Sequence, residues 1–459
     1  CCDRSPINPT RKLNQLEKLT MKNNLTPSGD FIFEPLGINP HNLRAQFPTR
    51  EQRLQYRAVV QWLTDCKPKQ DATNMEKMRP YTESLHHLCN VKDWRSLHVI
   101  LYFPVPISTT KARVSLPLSE YLLFKNLFTS LLEVSDNIIN AFKADKNDLS
   151  NIQILKARAL SGNGRLTEAI FIYNKLLDTN ISEEIYLEAH AHLAVCKIQG
   201  ENFLEGIKIL NNSLILIDQC LLRRSDFFED LQIKLVKLKA DLLGELAYYK
   251  MNCSKFEEAS NLYFGALSIL EENQIIHAII NPLVHQGIIL RKLFRTNESI
   301  DALQKAMVTA REIDNEEALI WIAHHLAWAL RMEKKYQEAE SNCLLSLEGY
   351  KKINDERGIN DSYELLGWIR LDQGNVNDAI KNFETALKWR KANNRTQGTA
   401  SCVMSLAVAY LRKGKLLKAV LTGLKGLNLY RKAGVLNWSR LYRILNFARI
   451  FRNLLLKIN

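Results

Sequence analysis

The pattern that organises this chain is a polar turn followed by an apolar residue and an alanine. It occurs at residues 333–339, 373–379 and 413–419, so that the closing alanine returns at every fortieth position. Small residues at earlier positions continue the series toward the N-terminus. The fixed interval predicts one structural unit that repeats along the chain. The full series is Ala169, Gly206, Ala259, Ser299, Ala339, Ala379 and Ala419.

Two further series of small residues keep the same register. One lies twelve residues before each closing position, and the other lies seven residues after it in the later repeats. Small side chains at fixed places let two antiparallel helices cross closely, because the distance between helix axes depends on the side chains at the contact. We therefore predict a helix, a turn and a helix in every repeat. The two series are Ala157, Ala194, Ala247, Gly287, Ala327, Gly367 and Ala407, and Ala266, Ala306, Ser346, Ala386 and Gly426.

This pattern resembles the tetratricopeptide repeat (TPR) over residues 151–433, where seven successive repeats keep helix, turn and helix. The resemblance implies an all-α fold, a right-handed α-solenoid of about seven TPR-like repeats. The step of the later repeats is longer than the usual one of about 34 residues. We expect the extra length between repeats, at residues 353–358 and 393–398. Residues 434–459 are predicted to form a basic capping helix, because the last repeat of a solenoid needs a cover for its apolar face.

Proline separates a different N-terminal part from the repeats. Eleven of the twelve prolines lie in residues 1–117, which leaves the later chain free to be helical. Residues 1–46 show no sustained period and are expected to be irregular and flexible. Residues 47–117 are predicted to form a separate small helical module, and residues 118–150 to supply leading helices before the first repeat.

Two helices are predicted within the N-terminal module, at residues 49–65 and 71–89. Residues 60–94 resemble a segment found ahead of TPR arrays in bacterial, particularly cyanobacterial, signal-transduction ATPases. That resemblance implies an intracellular regulator, or the sensor arm of a split ATPase. The chain has no Gly-x-x-x-x-Gly-Lys-Ser/Thr phosphate-binding loop, so no nucleotide hydrolysis is predicted. The apolar positions of the first predicted helix are Leu54, Val59, Trp62 and Leu63.

The TPR resemblance also implies a binding groove. In a TPR the first helix lines the inner face, through residues three before and one after its central small residue. TPR co-chaperones hold carboxylates with Lys, Asn and Arg at such positions, and this chain does not carry that set. We expect instead an aromatic groove for a protein or peptide partner, since tryptophan is frequent in binding hot spots. The alternative is that the tryptophans fill the interior of a tight superhelix. The predicted groove residues are Trp321, His324, Trp328, Arg331, Glu364 and Trp368.

Charge is concentrated at the C-terminal end. No Asp or Glu follows Glu384, while residues 385–459 carry sixteen Lys and Arg, including Arg390, and the whole chain has a net charge of +13. Such an excess of cations repels itself unless a partner neutralises it. Nucleic acid, an anionic membrane surface and an acidic protein are all open as partners, and so is a merely solvated face. The predicted basic pole comprises Arg412, Lys413, Lys415, Lys418, Arg431, Lys432, Arg440 and Arg443.

The sequence contains no set of residues typical of catalysis or metal binding. His86–His87 and His324–His325 are adjacent pairs, and neighbours on a helix point about 100° apart, so neither pair shares one metal. We predict no enzyme activity, no cofactor and no metal. Nine cysteines without a Cys-x-x-Cys pair suggest buried thiols in a reducing compartment, hence the cytoplasm. The sequence has no apolar run long enough to predict a transmembrane helix.

The chain begins at Cys1 without a signal-like segment and without an initiator methionine. We expect either a fragment of a longer chain or a true start at Met21, with acylation of Cys1 as a third possibility. The oligomeric state is left open by the sequence.

Overall fold

The computed structural model of the protein describes residues 29–433, except 67, 70–71, 73, 107–114, 125–126, 142–145, 201 and 224–228. These residues contain 21 α-helices, one short 3-10 helix and one two-stranded hairpin. The predicted all-α architecture of helix pairs is therefore confirmed. The predicted capping helix at residues 434–459 lies outside the described residues.

The described residues before the repeats form seven helices and the antiparallel hairpin, in which Val105 is opposite Leu116. The two helices predicted in the N-terminal module are both present, and the chain before the first repeat forms a helix pair. The elements are α1 (Gly29–Leu36), α2 (Leu43–Gln46), α3 (Arg50–Thr64), α4 (Asn74–Asn90), α5 (Trp94–Leu101), β1 (Pro104–Pro106), β2 (Ser115–Pro117), α6 (Leu118–Phe124) and α7 (Phe128–Ala141).

Two details of the N-terminal part differ from the expectation. Residues 29–46 are not irregular, because α1 buries Ile32 and Phe33 and contacts α3 and α5. Leu54, predicted as an apolar core position of α3, is 53% exposed. Tyr56 is buried in its place, stacks on Phe47 and donates a hydrogen bond to Asp93 Oδ2 at 2.6 Å. A tyrosine with a hydrogen-bond partner for its hydroxyl thus supplies the apolar surface that the leucine was expected to supply.

The repeats follow as seven pairs of helices, which we call helix A and helix B of each repeat. Helices A are α8 (Lys146–Gly162), α10 (Glu183–Gln199), α12 (Glu229–Asn252), α14 (Ile280–Lys292), α16 (Glu316–Met332), α18 (Glu356–Asp372) and α20 (Thr396–Arg412). Helices B are α9 (Leu166–Leu177), α11 (Phe203–Arg223), α13 (Phe256–Glu272), α15 (Thr296–Glu312), α17 (Tyr336–Lys352), α19 (Val376–Ala392) and α21 (Leu416–Lys432). The 3-10 helix Ile276–Ala278 precedes α14.

The long period of the later repeats comes from the helices and not from the segments between repeats. From α16 to α21 every helix has 17 residues, and turns of three residues join each helix to the next. The extra length expected at residues 353–358 and 393–398 is therefore wrongly placed. Each of these segments is a three-residue turn plus the first turn of the next helix A.

Both turns of a repeat use a residue with positive φ at a fixed place. The A–B turn has it at Phe294, Lys334, Gly374 and Gly414, and the B–A turn at residues 314, 354 and 394. The residue after it donates its N–H to a carbonyl five positions earlier, as from Lys335 to Leu330 at 3.0 Å. This left-handed ending closes the helix in one defined direction. Constant helix length and constant turns together fix the register of the array.

All three series of small residues are buried, in both helices of the repeats. At several positions only a glycine leaves room for the neighbour. A Cβ atom added to Gly367 in α18 would lie 2.6 Å from Phe383 Cε1 in α19, and one added to Gly287 in α14 would lie 2.6 Å from Leu303 Cγ in α15. Gly367 and Gly287 therefore mark points where helix A receives a large side chain of helix B.

The described chain divides into two compact units. The N-terminal unit holds the residues up to Asn252 together with Gly265–Ala278 and Glu312–Asp314. The C-terminal unit holds Cys253–Phe264, Ile279–Arg311 and the residues from Asn315 onward. This division falls within the third repeat, so the boundaries at residues 46, 117 and 150 stay predictions. Within the C-terminal unit, helices contact in sequence order, each helix A with both flanking helices B from α17 to α21.

Glycine-to-alanine changes should have opposite signs at two helical positions. Gly367→Ala should lower the free energy of unfolding by about 1–3 kcal/mol, because the new methyl group collides with Phe383. Gly265→Ala in α13 meets nothing within 4 Å and should raise stability by up to about 1 kcal/mol, the helix-propensity gain. Thermal melting followed by far-ultraviolet circular dichroism measures both, and two changes of the same sign would contradict the packing described here.

Candidate functional site

The candidate site lies on helices A of the C-terminal unit, where two tryptophans and two arginines alternate. The guanidinium carbon of Arg331 lies 5.5 Å from the ring centroid of Trp328 and 5.0 Å from that of Trp368. Arg291 lies 5.6 Å from the Trp328 ring. These four residues, from α14, α16 and α18, form what we call the Trp–Arg stack. Such cation–π contacts are favourable by about 0.5–2 kcal/mol each.

Helix geometry and the repeat register produce the alternation of tryptophan and arginine in the stack. Arg331 follows Trp328 by three positions on α16 and so lies on the same face of the helix. Trp368 follows Trp328 by one full repeat and therefore occupies the equivalent place on the next helix A. Side chains of Asn315 and Asp355 accept backbone N–H bonds at the starts of α16 and α18, which fixes where each helix begins.

Arg331 is held in place by an ion pair. Its Nη2 atom lies 2.8 Å from Asp372 Oδ2, and the side chains are only 18% and 19% exposed. Both tryptophans of the stack are partly exposed, and Trp368 also packs edge-on against Phe383 at 5.4 Å. Two rigid indoles thus keep part of their surface accessible while their orientation is fixed from both sides.

Trp321 and His324 belong to a neighbouring cluster of aromatic rings. The Trp321 ring lies edge-on to His285 at 5.2 Å and to His325 at 5.6 Å. His324 is buried, with its ring 6.4 Å from that of Tyr350. Burial lowers the pKa of both His285 and His324 to about 4, so these imidazoles are neutral at pH 7. His324 therefore serves the interior rather than the groove for which it was predicted.

Glu364 is also misplaced by the sequence prediction. Its carboxylate is buried, where Arg390 Nη1 contacts Oε2 at 2.7 Å and Ser401 donates to Oε1 at 2.9 Å. Arg390 also contacts Asp361 Oδ1 at 2.6 Å. Both carboxylate oxygens of Glu364 already have partners in this internal cluster. A groove ligand would therefore have to compete with a buried guanidinium.

The cluster replaces an uncharged contact found at the same register in the neighbouring repeats. Positions 364 and 390 correspond to His324 and Tyr350 in the repeat before, and to Met404 and Tyr430 in the repeat after. The guanidinium side chain is 7% exposed and crosses Gly398, where a Cβ would lie 2.9 Å from Arg390 Cδ. Burial opposes the charge of Arg390, but Glu364 and Asp361 keep its pKa above the ordinary value.

The basic pole is only partly what the sequence predicted. Arg390 is excluded from it, because its charge is neutralised inside the protein. Lys413 contacts Asn377 Oδ1 at 2.5 Å, and Lys418 lies 4.1 Å above the Tyr410 ring. Arg440 and Arg443 lie outside the described residues. The predicted pole residues that are described and exposed are Arg412, Lys413, Lys415, Lys418, Arg431 and Lys432.

Sequence reasoning missed a charged network on helices of the N-terminal unit. Arg158 makes a bidentate contact with Glu120, at 2.5 and 3.0 Å, and reaches Glu188 at 3.5 Å. Lys234 contacts the same Glu188 at 2.8 Å. Burial would raise the pKa of Glu120, but the charge of Arg158 lowers it to about 2. The sequence could have indicated this network. Arg158 lies one residue after the small residue Ala157, which is one of the two positions that line the groove in a TPR.

Among the described residues, no cluster of three or more His, Cys, Asp and Glu side chains is arranged to bind a metal ion. Over the same part of the chain, no helix combines the length and the apolar character needed to cross a membrane.

Comparison with known proteins agrees with the helix pairs. The family described as Tetratricopeptide repeat matches residues 361–393, which cover most of α18 and all of α19. Residues 361–393 therefore match a tetratricopeptide repeat. No curated protein matches this chain by sequence.

Solved structures give further likenesses to this chain. One is a STAND protein (signal transduction ATPase with numerous domains) with a tetratricopeptide repeat sensor, from Pyrococcus horikoshii. It is 14% identical with a TM-score of 0.57, over 89% of this chain and 56% of that one. A Rap protein complexed with competence and sporulation factor is 15% identical, with a TM-score of 0.49 over 66% and 80%. Aspartyl phosphate phosphatase F from Bacillus subtilis is 11% identical, with a TM-score of 0.46 over 85% and 94%.

The likeness to the STAND protein concerns the fold alone at this level of identity. The chain spans 56% of the length of that protein. The sequence suggested a resemblance to the TPR arm of a signal-transduction ATPase, and a protein of that description has a similar fold.

Removing the Arg390 side chain should lower the free energy of unfolding. Arg390→Ala leaves the buried carboxylate of Glu364 without its cation, removes the partner of the part-exposed Asp361, and should cost about 3–5 kcal/mol. The matched control is Asp361→Ser/Glu364→Met/Arg390→Tyr, which installs the residues that the last repeat has at these positions. It should stay within about 1.5 kcal/mol of the original protein. Equal melting temperatures for the original protein and Arg390→Ala would rule out the described role of this cluster.

Acid should destabilise the protein between pH 6.5 and pH 4. An imidazole with a pKa of about 4 in the folded state and about 6.5 when unfolded binds protons first in the unfolded chain. The free energy of unfolding should therefore fall as pH decreases through this window, by up to about 3 kcal/mol for His324. His324→Met, which copies Met404, should flatten the profile measured by denaturant titration. An unchanged slope in that variant would show that His324 does not carry it.

Proposed function

We propose that this TPR protein is a non-enzymatic scaffold that binds a peptide segment of a partner protein on helices A of its C-terminal unit. The Trp–Arg stack is the observation that supports the proposal. Tryptophan and arginine are among the residues enriched in binding hot spots. Trp328 and Trp368 are already fixed by Arg331, so a ligand would lose little free energy in ordering them.

The nature of the expected peptide follows from the charge of the stack. Arg331 is neutralised by Asp372, so the exposed surface that remains is chiefly indole. A peptide with one or two large apolar side chains matches this surface better than one recognised by its terminal carboxylate. This reading keeps the predicted groove residues Trp321, Trp328, Arg331 and Trp368 and omits His324 and Glu364, which serve the interior.

The same proposal includes a role in signalling within the cytoplasm. The fold likeness to a protein with a TPR sensor supports the role in signalling. The described cysteines support the cytoplasmic location, because all seven are unpaired and four of them are buried. Thiols of this kind persist in reducing compartments. The alternative of a sensor arm that works with a separate ATPase chain has the same fold likeness behind it and nothing more specific.

A peptide library tests the binding face. Peptides selected from a random phage-displayed library on the full chain should bind Trp328→Ala at least ten times more weakly, because the variant removes a central anchor. Trp389→Ala is the matched control, since Trp389 is a partly exposed tryptophan on helix B of the TPR-matched repeat. It should leave affinity unchanged in fluorescence polarisation measurements.

Folding must be checked beside binding. A variant that melts like the original protein but has lost the peptides supports the binding face. Selected peptides that bind Trp328→Ala and Trp368→Ala with full affinity would reject it, and so would a library from which nothing is enriched.

A further inference from the structure

The last described helix carries an apolar stripe on its outer face. Leu417, Leu421 and Leu424 in α21 are 76%, 52% and 58% exposed. Their spacing of four and three residues places them in one row along the helix. The opposite face of α21 holds the buried positions Ala419 and Gly426 and packs on α20.

The same row is polar in the preceding repeats, which gives an internal comparison. At the equivalent positions one, two and three repeats earlier, nearly all residues are polar, with Leu344 the one exception, and it is 39% exposed. Ordinary solvation of this face therefore requires no leucine. The equivalent residues are Asn377, Lys381 and Glu384 in α19, Gln337, Ser341 and Leu344 in α17, and Asn297, Asp301 and Gln304 in α15.

Cations flank the apolar stripe on both sides. Lys418, Lys425 and Lys432 lie seven residues apart and follow one edge, while Arg431 lies at the other edge. All four are exposed, and no carboxylate occurs anywhere in α20 or α21. A partner of this face must therefore offer negative charge and an apolar phase together.

That double requirement excludes several occupants. A second copy of α21 would bring lysine against lysine. The chain's own residues 434–459 add five more Lys and Arg and no carboxylate, so they offer no negative charge to these cations. Nucleic acid neutralises cations but offers no apolar phase for three exposed leucines. An acidic protein would find only a narrow row of three leucines as its apolar contact, whereas a stable interface buries roughly 800 Å² per partner around an apolar core.

An anionic lipid surface meets both requirements without a complementary shape. We propose that α21 docks the protein on membranes rich in anionic phospholipid, with the leucine stripe in the interfacial region and the flanking cations on the headgroups. Leucines between lysines and arginines on one helix are the pattern of interfacial binding. Attraction to an anionic leaflet adds roughly 1 kcal/mol, about fivefold in affinity, for each basic residue near the surface.

Co-sedimentation with vesicles tests this proposal on the full chain. The protein should bind vesicles of phosphatidylcholine mixed with phosphatidylglycerol, bind phosphatidylcholine alone at least about tenfold more weakly, and dissociate as salt rises. Leu417→Gln/Leu421→Gln/Leu424→Gln should lose at least about tenfold in binding. These side chains are exposed, so the melting temperature should not change. Leu344→Gln, at the register of Leu424 two repeats earlier, is the control and should bind normally.

A second pair of variants separates a defined face from diffuse charge. Arg431→Glu/Lys432→Glu should weaken vesicle binding at least about tenfold. Lys351→Glu/Lys352→Glu makes the same change in net charge at the same register of α17, also in the last turn of the helix, and should have little effect.

Several outcomes would overturn the proposal. These are no binding to anionic vesicles, equal losses in the two charge variants, or full binding by the leucine variant. Full binding by the leucine variant, together with salt-sensitive binding to duplex DNA, would assign the cations to a polyanion. The peptide-binding face uses residues of helices A only, so the result of its test is independent of this one.

Discussion

The structure depends on one constraint, the close crossing of two 17-residue helices at a buried small residue. Each repeat from α16 onward has two such helices, and the turns between them contain a left-handed residue. Because length and turn geometry are constant, every position of the sequence returns to the same place one repeat later. The array can therefore vary side chains at one register without disturbing the backbone, and both candidate surfaces of this protein arise in that way.

The C-terminal unit shows this variation at a single inter-helix contact. The pair at positions 324 and 350 is His and Tyr, at 364 and 390 Glu and Arg, and at 404 and 430 Met and Tyr. An aromatic or aliphatic contact and a buried ion cluster thus fill the same space. The neighbouring register carries Trp328 and Trp368, which Arg331 joins into the stack. Interior contacts and candidate binding residues differ by only a few positions along helix A.

This proximity explains how far the sequence could be interpreted. Helix order, the A–B pairs and the register followed from the small residues, because Ala and Gly at close crossings leave a periodic trace. The fate of Glu364 could not be predicted, since it depends on whether Arg390 reaches across from the adjoining helix. His324 was also predicted wrongly, because its burial depends on its contact with Tyr350 of the adjoining helix. Leu54 and Tyr56 exchanged roles because the partner of Tyr56, Asp93, lies 37 residues away in the sequence. The number of repeats and the polar A–B turns could be read from the sequence, whereas the length of the helices and the pairing of side chains across helices could not.

The central claim is that partly exposed indoles of the C-terminal unit form a peptide-binding face. The most direct measurement is the nuclear magnetic resonance spectrum of the indole N–H groups of the seven tryptophans, recorded while a library-selected peptide is added. The account predicts that the signals of Trp321, Trp328 and Trp368 shift together while those of Trp62 and Trp389 stay in place. Peptide binding that shifts only Trp62, Trp94, Trp389 or Trp438 would contradict it.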